Sequence, residues 1–290
     1  MKLFAMMVLT ALFTLFSATL ASAQSEFESE QTVLLNEARA RLAANPGNAD
    51  ALIWVGRRLG YLGRFEEAIK TYRQGEALNP SDARFARHIG HRLISLRRYS
   101  EAEQAFERAV RISAAQPDVI EPDGLPNDAG IPTSTLKGNI WYHLGLARYL
   151  QGKFASAAIA YEGASALAHN PDAAAAARYW LYLSHKRSGQ DEAASEALSG
   201  VDADWRLIEN GVYHELALCL RGERNCDAIM QEARGADGVL YATPAYGVAM
   251  SKLLSGDPSG AHALLHEIAS RDSGTTFGRL AAEADLKLLN

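Results

Sequence analysis

The chain has 290 residues, 48% of them hydrophobic and 22% charged, with a formal net charge of −5. That balance describes a folded protein and excludes nonspecific nucleic-acid binding, which needs a concentrated basic surface. Two cysteines alone do not supply the soft ligands of a metal site.

Residues 1–23 read as a secretory signal peptide. Lys2 precedes an almost uninterrupted apolar run from Leu3 to Leu20, and Ala21-Ser22-Ala23 provides the small-residue cleavage signal. A retained anchor helix is the alternative, near the lower length limit for spanning. Gln24 follows the cut, so no cysteine stands there to take a lipid. The expected location is periplasmic or secreted, where disulfides persist.

Residues 24–48 form an entry helix and linker. Gln24 to Glu30 is polar and expected to fray. Gln31 to Ala44 carries Val33, Leu34, Ala38 and Leu42 on one helical side, and Asn45-Pro46-Gly47 ends it.

A 34-residue period begins at Ala49 and again at Ala83. Gly56 aligns with Gly90, Phe65 with Tyr99, Ala68 with Ala102, and Tyr72 with Phe106. Leu52 to Leu62 and Phe65 to Leu78 are the paired helices of the first unit, broken at Gly63-Arg64 and ended by Asn79-Pro80. The glycines and alanines permit close helix approach, and the rings plug the hairpin. Such a hairpin cannot bury its apolar face alone and must stack on its neighbours.

Ser113 to Lys137 interrupts the period with a proline-rich insertion. Val119, Ile120, Leu125, Ile131 and Leu136 predict that it packs against neighbouring helices. Repeat three resumes at Gly138 with Trp141, Gly145, Gly152, Phe154, Ala157 and Tyr161. Repeat four begins near Ala175 and turns at Gly189. Repeat five turns at Gly222 between helices predicted at Ile208 to Leu220 and Cys226 to Arg234. Repeat six turns at Gly256, with Pro244 near the start of its first helix and Pro258 in the first turn of its second. A capping helix is predicted at 276–289.

The stretch LGYLGRFEEAIKTYRQGEALNP is similar to the tetratricopeptide repeat family across the turn and second helix, although Leu52 and Ala86 stand where that family usually has a first-helix aromatic. The resemblance implies an all-α, right-handed superhelical solenoid over 49–290, of about six hairpins plus flanking helices. It also implies recognition of a protein or extended peptide along a concave wall formed by the first helices. Projected register places Arg57, Tyr61, Arg87, His91, Asn139, Tyr142, Tyr149, Tyr179 and Arg187 on or near that wall, cationic at one end and aromatic toward the middle. Such a groove suits a peptide with an acidic group. The family's carboxylate-clamping subtype is not supported, because Ile53, Arg57, Arg87, His91, Tyr142 and Leu146 occupy the matching places.

Cys219 and Cys226 flank the Gly222 turn and are either a disulfide across the hairpin or two buried free thiols. His262 and His266 stand four apart beside Glu267, only a partial metal site. No nucleophile elbow or phosphate-cradling glycine loop occurs. The sequence thus reads as a noncatalytic adaptor without metal or cofactor. The alternative is a structural envelope protein that self-associates through its insertion or terminal helix.

Overall fold

Helix starts and stops follow from local chemistry. Asn48, Asp82, Thr135 and Asn170 each accept a hydrogen bond from an N–H two or three residues ahead, satisfying a donor that a helix start leaves open. Gly63, Gly152, Gly189, Gly222 and Gly256 turn the hairpins in the left-handed region, at φ between 71° and 89°. Repeat two uses Arg97 at that point, with φ 62°.

The computed structural model describes residues 24–271 and 274–289; the apolar run from Leu3 to Leu20 and its cleavage signal lie outside the described residues. Fourteen helices form among the described residues. They are α1 (residues 24–44), α2 (Ala49–Tyr61), α3 (Phe65–Leu78), α4 (Ala83–Ser95), α5 (Tyr99–Ser113), α6 (Leu136–Tyr149), α7 (Phe154–Ala166), α8 (Pro171–Arg187), α9 (Asp191–Ser199), α10 (Gly211–Leu220), α11 (Cys226–Ala233), α12 (Gly238–Leu254), α13 (Pro258–Ser270) and α14 (Phe277–Leu289). The architecture is an all-α helix-turn-helix repeat solenoid. None of the described helices is long and apolar enough to cross a membrane.

Within a hairpin, a first-helix glycine receives a ring from the second helix. A Cβ at Gly90 would lie 2.7 Å from the Phe106 ring, and one at Gly145 would lie 2.8 Å from Tyr161. The small residue lets the two backbones approach until the ring fills the space between them.

The chain divides into two compact units, one up to Pro80 and one from Ser81 onward, where a single continuous domain is expected from 49–290. The boundary falls where Asn79 caps α3 and Pro80 supplies no N–H to continue it. In the first unit, α1 is helical from the first described residue, Gln24, so the stretch expected to fray is helical, and Leu35 and Ala38 are buried while Val33 is exposed.

The second unit is built around Trp180 of α8. Its indole stacks on Tyr161 at 6.2 Å and on Tyr246 at 5.7 Å, and meets Tyr149 and Tyr179 edge-on at 5.1 and 5.5 Å. These rings come from α6, α7, α8 and α12, so one aromatic cluster ties three repeats together.

Two helix boundaries differ from the sequence reading. α10 starts at Gly211 rather than Ile208, because the N–H groups of Ile208, Glu209 and Asn210 all donate to the buried Asp172 carboxylate. Pro244 lies inside α12, which begins six residues earlier at Gly238. The insertion also reverses its expected polarity except at Leu136, which is buried as expected. Val119, Ile120, Leu125 and Ile131 are 49–59% exposed, whereas Glu121 and Thr133 are buried.

Candidate functional site: an aromatic cavity in the second unit

Arg57 and Tyr61 lie on α2 in the first unit, both half-buried. The Arg57 guanidinium sits 4.9 Å from the Trp54 ring centre. The neighbouring Arg58 reaches both Trp54 and Tyr61, at 5.0 and 5.8 Å. The arginines there stack on rings of their own helix.

Of the other residues projected onto an open wall, Arg87, Tyr149 and Tyr179 are buried, and His91, Asn139, Tyr142 and Arg187 are half-buried. Arg87 is buried and its Nε lies 3.2 Å from Glu121 Oε2, while His88 Nε2 lies 3.3 Å from Glu121 Oε1. Asn139 donates to the same carboxylate at 2.8 Å and to Ser134 Oγ at 2.9 Å. The insertion therefore sends one acidic side chain down onto α4 and α6, and the cationic end expected of the wall is occupied from within the chain.

The last helix engages another part of the projected wall. Arg187 Nη1 donates to Asp285 Oδ1 at 2.8 Å and to Tyr149 Oη at 3.3 Å, and Tyr246 donates to Asp285 Oδ2 at 2.7 Å. Burial raises the Asp285 carboxyl above its ordinary range, against the opposing pull of Arg187 and Tyr246. Burial likewise pushes the Tyr149 and Tyr179 phenols up, so both stay neutral. Arg97 and Glu283 add a bond at 2.6 Å between the repeat-two turn and α14.

His91, Tyr142 and His143 meet Phe277 at the start of α14, with ring centres 5.6 to 6.5 Å from it. Burial, reinforced by nearby cations, drives the His91 imidazole well below its ordinary value. The His143 imidazole is pushed down to about 3 by burial first and by Arg87 second.

Beside this cluster the unit keeps a cavity of about 300 Å³. Tyr142, Tyr213 and Phe277 supply its rings, Ala173, Ala176 and Ala177 its small-residue surface on α8, and Asn139, Asn210 and Thr133 its polar groups. Among the described residues no Lys, Arg, Asp or Glu lines it. Its rim is held by three cross-links. Asn170 donates to the Thr133 carbonyl at 2.8 Å, Thr133 Oγ1 to Glu209 at 2.6 Å, and Asn210 Nδ2 to the Asp172 carbonyl at 3.1 Å.

Of the projected residues, the structure brings Asn139 and Tyr142 to this cavity. His143, Tyr213, Val239 and Phe277 complete it and were missed. A signal for two of them exists in the sequence: His143, Trp180 and Tyr213 each stand nine residues before the turn glycine of their repeat, as Trp54 and His88 stand nine before Gly63 and Arg97. This recurrent ring position is one residue beyond the position held by Arg87, Tyr142 and Tyr179.

Away from the cavity, Cys219 and Cys226 are bonded across the α10–α11 turn with Cα atoms 5.3 Å apart. The rings of His262 and His266 lie 4.5 Å apart on α13. Among the described residues no three His, Cys, Asp or Glu side chains gather as metal ligands.

Comparison with known proteins agrees with the repeat architecture. Residues 49–82 and 88–116 match the tetratricopeptide repeat model. No curated protein matches the sequence. Among solved structures, the chain is similar to YrrB, described as a TPR protein with an unusual peptide-binding site, at 17% identity and a TM-score of 0.45 over 86% of this chain and 97% of that one. It is similar to MamA at 18% identity and a TM-score of 0.43, over 56% of this chain and 81% of that one. The family match thus falls on the first two hairpins, and further helical hairpins follow them in the chain.

Proposed function

We propose that this protein is a noncatalytic extracytoplasmic scaffold that binds a segment of another protein through the cavity between α6, α8 and α10. The carrying observation is the cavity itself. It has the size of a small ligand site, ring and alanine surfaces, and a few fixed polar groups at its edge. Val239 lines it while 57% exposed, and Leu240 beside it is 72% exposed, so apolar surface continues outward from the mouth. The extracytoplasmic address is supported by the run from Leu3 to Leu20 and by the Cys219–Cys226 bond. An acidic partner is disfavoured, since Arg87 and Arg187 are already paired to carboxylates inside the unit.

The test is site-specific photo-crosslinking from position 239, with position 159 on α7 as the exposed control. A discrete protein adduct from 239 alone, lost when Ala168→Trp fills the cavity from its rim, is the expected result. Identical adducts from both positions, or an adduct indifferent to the tryptophan, would refute the reading.

A second reading, self-association, is favoured by the exposed apolar points of the insertion, Val119, Ile120, Leu125 and Ile131. Sedimentation of the exported chain with and without Leu125→Glu and Ile131→Glu decides it. A concentration-dependent dimer abolished by the pair supports that reading, and a monomer throughout removes it.

A further inference from the structure

The geometry points to one class of side chain for this cavity: a planar aromatic ring that carries a hydrogen-bond donor, the indole of tryptophan or the phenol of tyrosine. The inference rests on the scaffold reading above and adds the chemistry of the bound group.

His143 provides the polar contact. Its Nδ1 lies 2.7 Å from the Asn139 carbonyl oxygen, which only accepts, so Nδ1 carries the proton. Nε2 is then a lone-pair acceptor. The ring is 5% exposed and lines the cavity, and Nε2 has no hydrogen-bond partner among the described residues. Nε2 is not one of the sealed, unpaired polar atoms of the interior, so it is open to water-sized space; an occupant that covers it pairs it with a donor or strips it at a free-energy cost.

The rest of the lining selects a flat ring. Ala164, Ala173, Ala176 and Ala177 present small side chains, while Tyr142 and Phe277 present rings. A slot between alanines and aromatic surfaces receives a planar group with little loss of rotamer freedom. Charged side chains are disfavoured, because among the described residues no carboxylate, ammonium or guanidinium lines the cavity to compensate their desolvation. A purely aliphatic side chain would leave His143 Nε2 dry and unpaired. Protonation of His143 does not compete near neutral pH, since burial and Arg87 hold the imidazole in its neutral form.

The experiment titrates N-acetyl-tryptophanamide and N-acetyl-phenylalaninamide into the exported chain by ligand-observed NMR. The tryptophan amide is expected to bind about tenfold more tightly, the worth of one hydrogen bond to a buried acceptor. Ala168→Trp should abolish binding of both. His143→Phe should bring the two affinities together, and His143→Gln, which restores an acceptor, should keep the preference; this second variant serves if the first does not fold. Equal affinities in the wild type, or tryptophan binding that survives Ala168→Trp, overturns the assignment. Crosslinking from position 239 with no amide binding sinks this inference and leaves the scaffold reading standing, whereas failure of both sinks both.

Discussion

Arg187 and Asp285, 98 residues apart, meet at 2.8 Å with side chains only 11% and 1% exposed. This pair fastens the last helix to α8. Tyr149 and Arg187, which register placed on an open wall, are consequently engaged by α14.

Removing one member of that pair leaves the other buried without its charge partner. Asp285→Ala should cost about 3–5 kcal/mol, read as a lower midpoint in denaturant unfolding. Arg187→Met combined with Asp285→Leu should recover most of the loss, because an apolar pair of similar volume needs no compensation. A single variant with wild-type stability would mean that α14 is not held by this contact.

Acid should weaken the second unit. His143 has a folded pKa of about 3 against an ordinary 6.5, and His91 is shifted in the same direction. The unfolded chain therefore binds more protons than the folded one below pH 6.5. Stability is full above that pH and falls on the order of 1.4 kcal/mol per unit for His143 as pH drops toward 3, with His91 contributing in the same direction. Arg87, Arg92 and His88 face these rings and oppose their charging. Melting followed from pH 7 to pH 5 should show the decline, and His143→Phe should flatten it.

The insertion is anchored by polar rather than apolar groups. Glu121→Ala removes the carboxylate shared by Arg87, His88 and Asn139, at a cost of about 3 kcal/mol. Limited proteolysis should then cut within residues 122–132 before any helix is lost. Unchanged cleavage would show that the bridge between Ile120 and Thr135 is sufficient by itself.

The Cys219–Cys226 bond closes a short loop, so its effect on the unfolded chain is modest. Replacing both cysteines with serine should cost about 2 kcal/mol, and a reducing agent should lower the wild-type midpoint to that of the variant. Insensitivity of the wild type to reductant would contradict the bond's contribution.

Glycine and ring are matched sterically within each hairpin. Gly145→Ala would drive a methyl to within 2.8 Å of Tyr161, and Gly90→Ala to within 2.7 Å of Phe106. Each should destabilise by about 1–3 kcal/mol in calorimetry. A neutral result at either would place the close approach elsewhere.

Local rules were sufficient for the repeat frame. The 34-residue spacing, the turn glycines and the ring at Tyr161 are each read by neighbours in sequence, so Phe65–Leu78 and Phe154–Ala166 are helices for reasons visible in the chain itself. What faces solvent was not legible in the same way. A first-helix position is open or closed according to what packs over it, and only the folded chain brings Asp285 to Arg187, Glu121 to Arg87 and Phe277 to His143. Burial and ion pairing between residues tens of positions apart depend on where α14 and the insertion come to rest, and periodicity carries no record of that.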